Sequence, residues 1–100
     1  MTRDVYRYAF TAKTPVEEVE ASLLLAVFAT ESLHGESQTR LDTAHFFDPT
    51  KRACVIDANT PVGRDLNRLF IGFVSREFGP DAFTVERITD QHLQPHEVTL

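Results

Sequence analysis

Phe10-Thr11-Ala12-Lys13-Thr14-Pro15-Val16 and Ile56-Asp57-Ala58-Asn59-Thr60-Pro61-Val62 follow one pattern, 46 residues apart. In each, an apolar, strand-like run continues for three residues and enters Thr-Pro-Val. A helical period follows. Thr is a preferred N-cap, and Pro is best tolerated at the first helical position, where its missing N–H would be unpaired anyway. The repeat therefore predicts two helices, each entered in the same way from a strand.

Working outward from the first copy, residues 5–11 read as a strand. Tyr6, Tyr8 and Phe10 alternate with Arg7, Ala9 and Thr11, and the even set is expected to face the core. Thr14 with Glu17 has the spacing of a capping box, and Glu17, Glu18 and Glu20 suit the positive end of a helix. Val16, Val19, Leu23, Ala26, Val27 and Thr30 continue one helical stripe. His34-Gly35 ends it, with Gly in the left-handed position. Leu24, Phe28, Leu25 and Ala29 give this helix a second apolar set, which predicts burial on more than one side and a partner subunit as the cover.

Residues 36–39 read as a polar loop, 40–48 as a second strand and 52–58 as a third. Asp48-Pro49 has the signature of a type I turn. A two-residue loop would pair His45 with Cys54. A three-residue loop would pair Asp48 with Arg52 and Phe46 with Cys54. The second register is preferred because it gathers Ala44, Phe46, Cys54 and Ile56 on the core face. It leaves His45, Phe47, Ala53 and Val55 on the other.

The second copy of the repeat opens a helix over 61–78, with Val62, Leu66, Leu69, Phe70, Phe73 and Val74 as its stripe and Gly79-Pro80 as its stop. Residues 82–88 form a fourth strand, and 89–100 read as a polar C-terminal tail or arm. The order βαββαβ resembles the ferredoxin-like pattern: an α+β domain over 1–88, with a four-stranded antiparallel sheet and two helices packed on one face. That superfold hosts many unrelated functions, so the site must supply the function.

Composition sets limits. A net charge of −5 over 100 residues disfavours binding to nucleic acid or to an anionic membrane surface. The third strand, Arg52-Ala53-Cys54-Val55-Ile56-Asp57-Ala58, also lacks the aromatic pattern of RNA-stacking sheets. One cysteine, Cys54, leaves no intramolecular disulfide. With no apolar signal core at Met1–Tyr6 and no membrane-length apolar run, the chain reads as cytoplasmic.

Two surfaces stand out. If the loops after strands one and three leave the same end of the sheet, the helix N-termini meet there. Lys13, Thr14, Asn59, Thr60, Gly63 and Arg64 would then form a site for a small anionic ligand or substrate. The other surface is the open sheet face with the outside of helix one. His45, Phe47, Ala53, Val55, Leu24 and Phe28 are the candidate interface of a homodimer or higher homo-oligomer. No catalytic set emerges: a lone strand cysteine is ordinarily a small hydrophobe. His92, His96 and Glu97 are broken by Pro95 and fall short of a four-ligand zinc site, so neither metal nor cofactor is expected. The expected protein is a non-catalytic, self-associating interaction or regulatory module; the alternative is an anion-binding protein or small enzyme at the helix entries.

Overall fold

The period-two run at the N-terminus forms a central strand. In a computed structural model that describes residues 4–88, β1 (Val5–Phe10) is followed by α1 (Val16–His34), α2 (Glu36–Asp42), β2 (Ala44–Asp48), β3 (Ala53–Asp57) and α3 (Pro61–Phe78). A 3₁₀ turn over Pro80–Ala82 then leads into β4 (Phe83–Ile88). The four strands make one sheet in the order β2-β3-β1-β4, every neighbouring pair antiparallel. The result is an α+β fold with three α-helices rather than two.

The core lies between one sheet face and the pair α1 and α3. Tyr8 and Phe10 from β1 and Cys54 and Ile56 from β3 are buried with Val19, Leu23 and Ala26 of α1 and Leu66, Phe70 and Val74 of α3. The alternation expected for β1 therefore holds. Tyr8 meets Phe70 edge to face with ring centroids 4.9 Å apart, a favoured geometry for aromatic pairs. Its hydroxyl donates to Asn67 Oδ1 at 2.5 Å, so the buried polar end is satisfied.

α2 occupies the stretch expected as a polar loop and the start of a strand. It is seven residues long, and Leu41, its one large apolar side chain, is exposed. Polar links hold it instead. Arg40 pairs with Glu36 at 2.8 Å one turn away, and the buried Thr39 hydroxyl donates to the Gly35 carbonyl. Gly35, at φ 90°, closes α1 and opens α2, in a conformation that favours glycine.

The two Thr-Pro-Val entries differ. Thr60 caps α3 as expected: its hydroxyl accepts from the Gly63 N–H at 2.9 Å, and Pro61 is the first helical residue. It also donates to the Asp42 carbonyl at 2.5 Å, tying the end of α2 to the start of α3. Thr14 caps nothing, and the capping box with Glu17 does not form. The helix starts one residue later, with Pro15 as N-cap. Thr14 is instead buried and donates to the Ala82 carbonyl, while Thr11 Oγ1 donates to it.

The β2–β3 register also departs from expectation. Asp48 pairs with Ala53, Phe47 with Cys54, Phe46 with Val55 and His45 with Ile56. The connection is therefore four residues, Pro49 to Arg52. Arg52 leaves the strand because it adopts a left-handed conformation, φ 55°. From there its guanidinium donates to the carbonyls of Thr11 and Thr14. One more loop residue reverses the face of every β2 side chain. Phe47 and His45 turn toward the helices, and Ala44 and Phe46 move to the open face.

Candidate functional site: the open sheet face

The expected anion site requires both helix entries at one end of the sheet. Antiparallel pairing of β1 with β3 forbids this. Val5 is opposite Asp57 and Ala9 opposite Ala53, so β1 ends where β3 begins. The entries lie at opposite ends, about 17 Å apart along the strands. Lys13 and Thr14 are thus separated from Asn59, Thr60, Gly63 and Arg64.

Neither half forms an evident anion cradle. The first borders a hollow of about 280 Å³ lined by Thr11, Lys13, Thr14, Phe78 and Asp81, where the Asp81 carboxylate opposes an anion. In the second, Asn59 is engaged by its own fold. Its Oδ1 accepts from the Asp4 N–H at 2.7 Å, and its N–H and Nδ2 donate to Asp57 Oδ1. Gly63 does serve a close approach, but to protein rather than ligand. A Cβ there would lie 2.5 Å from the Asp57 carbonyl oxygen.

Cys54 and His45 do not form a nucleophile–base pair. Cys54 is fully buried opposite Phe47, and burial pushes its thiol up to about 12. A reactive cysteine needs the opposite shift and an open setting. Tyr8 beside it is likewise held above its ordinary 10.0, chiefly by burial and then by Cys54. His45, on the helix-facing side of the edge strand β2, is shifted down by loss of solvation. Among the described residues no group of three or more His, Cys, Asp or Glu could hold a metal ion. His92, His96, Glu97 and the expected tail lie outside the described residues.

The open face has a regular layout. The registers arrange its side chains in three rows across β2, β3, β1 and β4. The central row is Phe46, Val55, Arg7, Glu86. One flanking row is Ala44, Asp57, Val5, Ile88, and the other is Asp48, Ala53, Ala9, Thr84. The apolar groups concentrate on β2 and β3 and at the ends of β1. Phe46 is 64% exposed at their centre. Beside it lies a hollow of about 230 Å³ lined by Val5, Ala44, His45, Phe46, Val55 and Asp57. A second, of about 170 Å³, lies toward Arg7, Asp48, Lys51 and Ala53.

Ala53 and Val55 therefore stand on the expected face. His45 and Phe47 do not, and Ala44 and Phe46 take their places. Leu24 and Phe28 are exposed on the outside of α1, with Leu25 and Leu33. Phe46 escaped the sequence reading because its face depends on the extra loop residue at Arg52. No helix among the described residues is long and apolar enough to cross a membrane.

No protein-family model matches the chain, and no curated protein matches it in sequence. The functional reading therefore rests on the surface itself.

Proposed function

We propose that this protein is a non-catalytic, self-associating module, homodimeric through its open sheet face. The carrying observation is Phe46, a large aromatic side chain held out of the core, with exposed Ala44 and half-buried Val55 beside it on the open face. Exposed apolar patches of this kind mark interaction surfaces. Two-fold association is the commonest way for a soluble protein to cover one. The free thiol of Cys54 is consistent with a cytoplasmic setting.

We also infer that the architecture is ferredoxin-like with an added helix. The strand order β2-β3-β1-β4, antiparallel throughout, supports that reading, as does the βαββαβ sequence of elements once α2 is set aside. Such a layout covers one sheet face with helices and leaves the other for a partner.

Sedimentation velocity over a concentration series tests the function directly. The expected result is a mass that rises from monomer to dimer. A monomer mass maintained up to about 200 μM, some hundredfold above a micromolar Kd, overturns it.

A further inference from the structure

α1 is apolar on two sides. Val19, Leu23, Ala26 and Thr30 are its buried side. At about 100° per residue, Ala21, Leu24, Leu25 and Phe28 fall within an arc of about 100° on the opposite side. All four are exposed, Leu25 at 56% and Phe28 at 57%. A surface helix ordinarily turns polar groups to solvent, so the core does not account for this second stripe. It lies on the helix layer, across the molecule from the open sheet face, and stays uncovered whether or not sheet faces pair.

Charge around the stripe has one dominant sign. α1 carries Glu17, Glu18, Glu20 and Glu31 and no Lys or Arg. Its last residue, His34, meets Asp65 near the start of α3 at 2.8 Å, so the two helices run antiparallel. The start of α1 therefore lies beside the end of α3. There a hollow of about 250 Å³ is lined by Glu18, Ala21, Ser22, Leu25 and Glu77. Among the described residues, neither of its carboxylates is paired with a base. Glu18 suits the first turn of α1, but Glu77 stands in the last turn of α3, where the helix dipole favours a cation. Arg76 beside it is exposed and lines no part of the hollow. A Lys or Arg from outside can lay its aliphatic stem on Leu25 and Ala21 and set its charged head between Glu18 and Glu77. A second copy of α1 would bring acid against acid, and an anionic membrane is repelled in the same way.

We propose that the outside of α1 docks a basic amphipathic helix of another protein, with apolar side chains on Leu24, Leu25 and Phe28 and a Lys or Arg in the hollow between Glu18 and Glu77. This is the helix-on-helix mode of peptide recognition, and it does not depend on the self-association proposed above. One helix face is a small surface, so the contact is transient, with a Kd on the order of 10 μM.

The test titrates the full chain with a synthetic peptide of about 18 residues, the length of α1, made of Leu and Lys in an amphipathic helical pattern. Two control peptides carry Glu in place of Lys, or the same Leu and Lys in scrambled order. Isothermal titration calorimetry reads affinity, and circular dichroism checks that each variant folds. The patterned Leu/Lys peptide is expected to bind and the two controls are not. Phe28→Ala and Leu25→Ser, which leave the charge unchanged, should each weaken binding about tenfold, the scale of an interface anchor. Glu77→Gln should weaken it about threefold, while Phe46→Ala on the sheet face should leave it unchanged. Absence of binding overturns the proposal. Equal binding of the scrambled peptide, or no effect of Phe28→Ala and Leu25→Ser, overturns it by reducing the contact to unspecific charge attraction. Equal binding of the Leu/Glu peptide overturns the basic partner. Loss of wild-type self-association in Phe28→Ala would give the stripe to a second copy and overturn the proposal as well. A monomeric chain that binds the Leu/Lys peptide removes the self-association reading and leaves this one standing.

Discussion

Half-buried Arg52 closes the β2–β3 loop in the left-handed region, at φ 55°. A non-glycine residue in the left-handed region costs about 1–2 kcal/mol. Here the strain is offset by guanidinium hydrogen bonds to Thr11 and Thr14, which fasten the start of α1 to the β2–β3 loop. Charged hydrogen bonds of this kind contribute about 1.5–3 kcal/mol, and partial exposure places this set toward the low end. Arg52→Ala should therefore lower unfolding stability by about 2 kcal/mol in a denaturant titration. Arg52→Gly, which loses the clamp but relieves the backbone, should lie about 1 kcal/mol above the Ala variant. A Gly variant no more stable than Ala would show that the φ of Arg52 carries no cost. Cys54 gives a second expectation at this scale. Its thiol ionises near 9.0 when unfolded and near 12 in the folded chain. The raised folded value means its contribution is complete below pH 9 and is lost as pH climbs toward 12. Stability should fall by about 1.4 kcal/mol per pH unit through that window from Cys54 alone. Tyr8, raised in the same sense, steepens the fall above pH 10. Cys54→Ala should remove the part of the slope between pH 9 and pH 10. The burial of Tyr8, Cys54 and Ile56 was readable from strand alternation. The left-handed conformation of Arg52 was not, because no local pattern distinguishes an arginine that ends a loop from one that begins a strand.

At the scale of elements, the Thr-Pro-Val repeat was legible as two helix entries but not as two different ones. Both threonines bind a distant element. Thr60 reaches the Asp42 carbonyl at the end of α2, and Thr14 reaches Ala82 before β4. Only Thr60 combines that bond with a cap, because Pro15 has taken the N-cap position in the first copy. Thr60→Ala therefore breaks two bonds at once and should cost about 1–2 kcal/mol. Its distinguishing effect is local. Amide hydrogen exchange should accelerate over residues 39–42 of α2, at its C-cap Thr43 and at Gly63, while β1 keeps its protection. Unchanged exchange over 39–43 would mean that α2 is held without the Thr60 contact. α2 itself was invisible in the sequence for a physical reason. Hydrophobic periodicity is the main signal of a helix, and this one turns no large apolar side chain inward. Glu36 with Arg40 and Gln38 with Asp42, each four residues apart, were the available signs.

At the scale of the molecule, antiparallel pairing of the central strands separates what the repeat had suggested should meet. With the helix entries at opposite ends of the sheet, Lys13 and Arg64 cannot bind one small anion together, and the open face becomes the surface to explain. That face was legible as apolar, but not in its membership, since one loop residue exchanges Phe46 for Phe47. Its layout has a consequence for association as a whole. Each chain carries a net charge of −5, so two copies approach against a long-range repulsion. The charges on the face itself are mixed and contribute little net attraction. Added salt screens the repulsion, with a screening length near 10 Å at about 0.1 M and shorter above it. Raising salt from about 50 to about 500 mM should therefore lower the dimer Kd a few-fold, to an extent set by that screening. Contacts driven by opposite charges would weaken over the same range. A dimer that dissociates as salt rises would move the interface away from the Phe46 face and toward a charge-paired surface, which sedimentation at two ionic strengths can read directly.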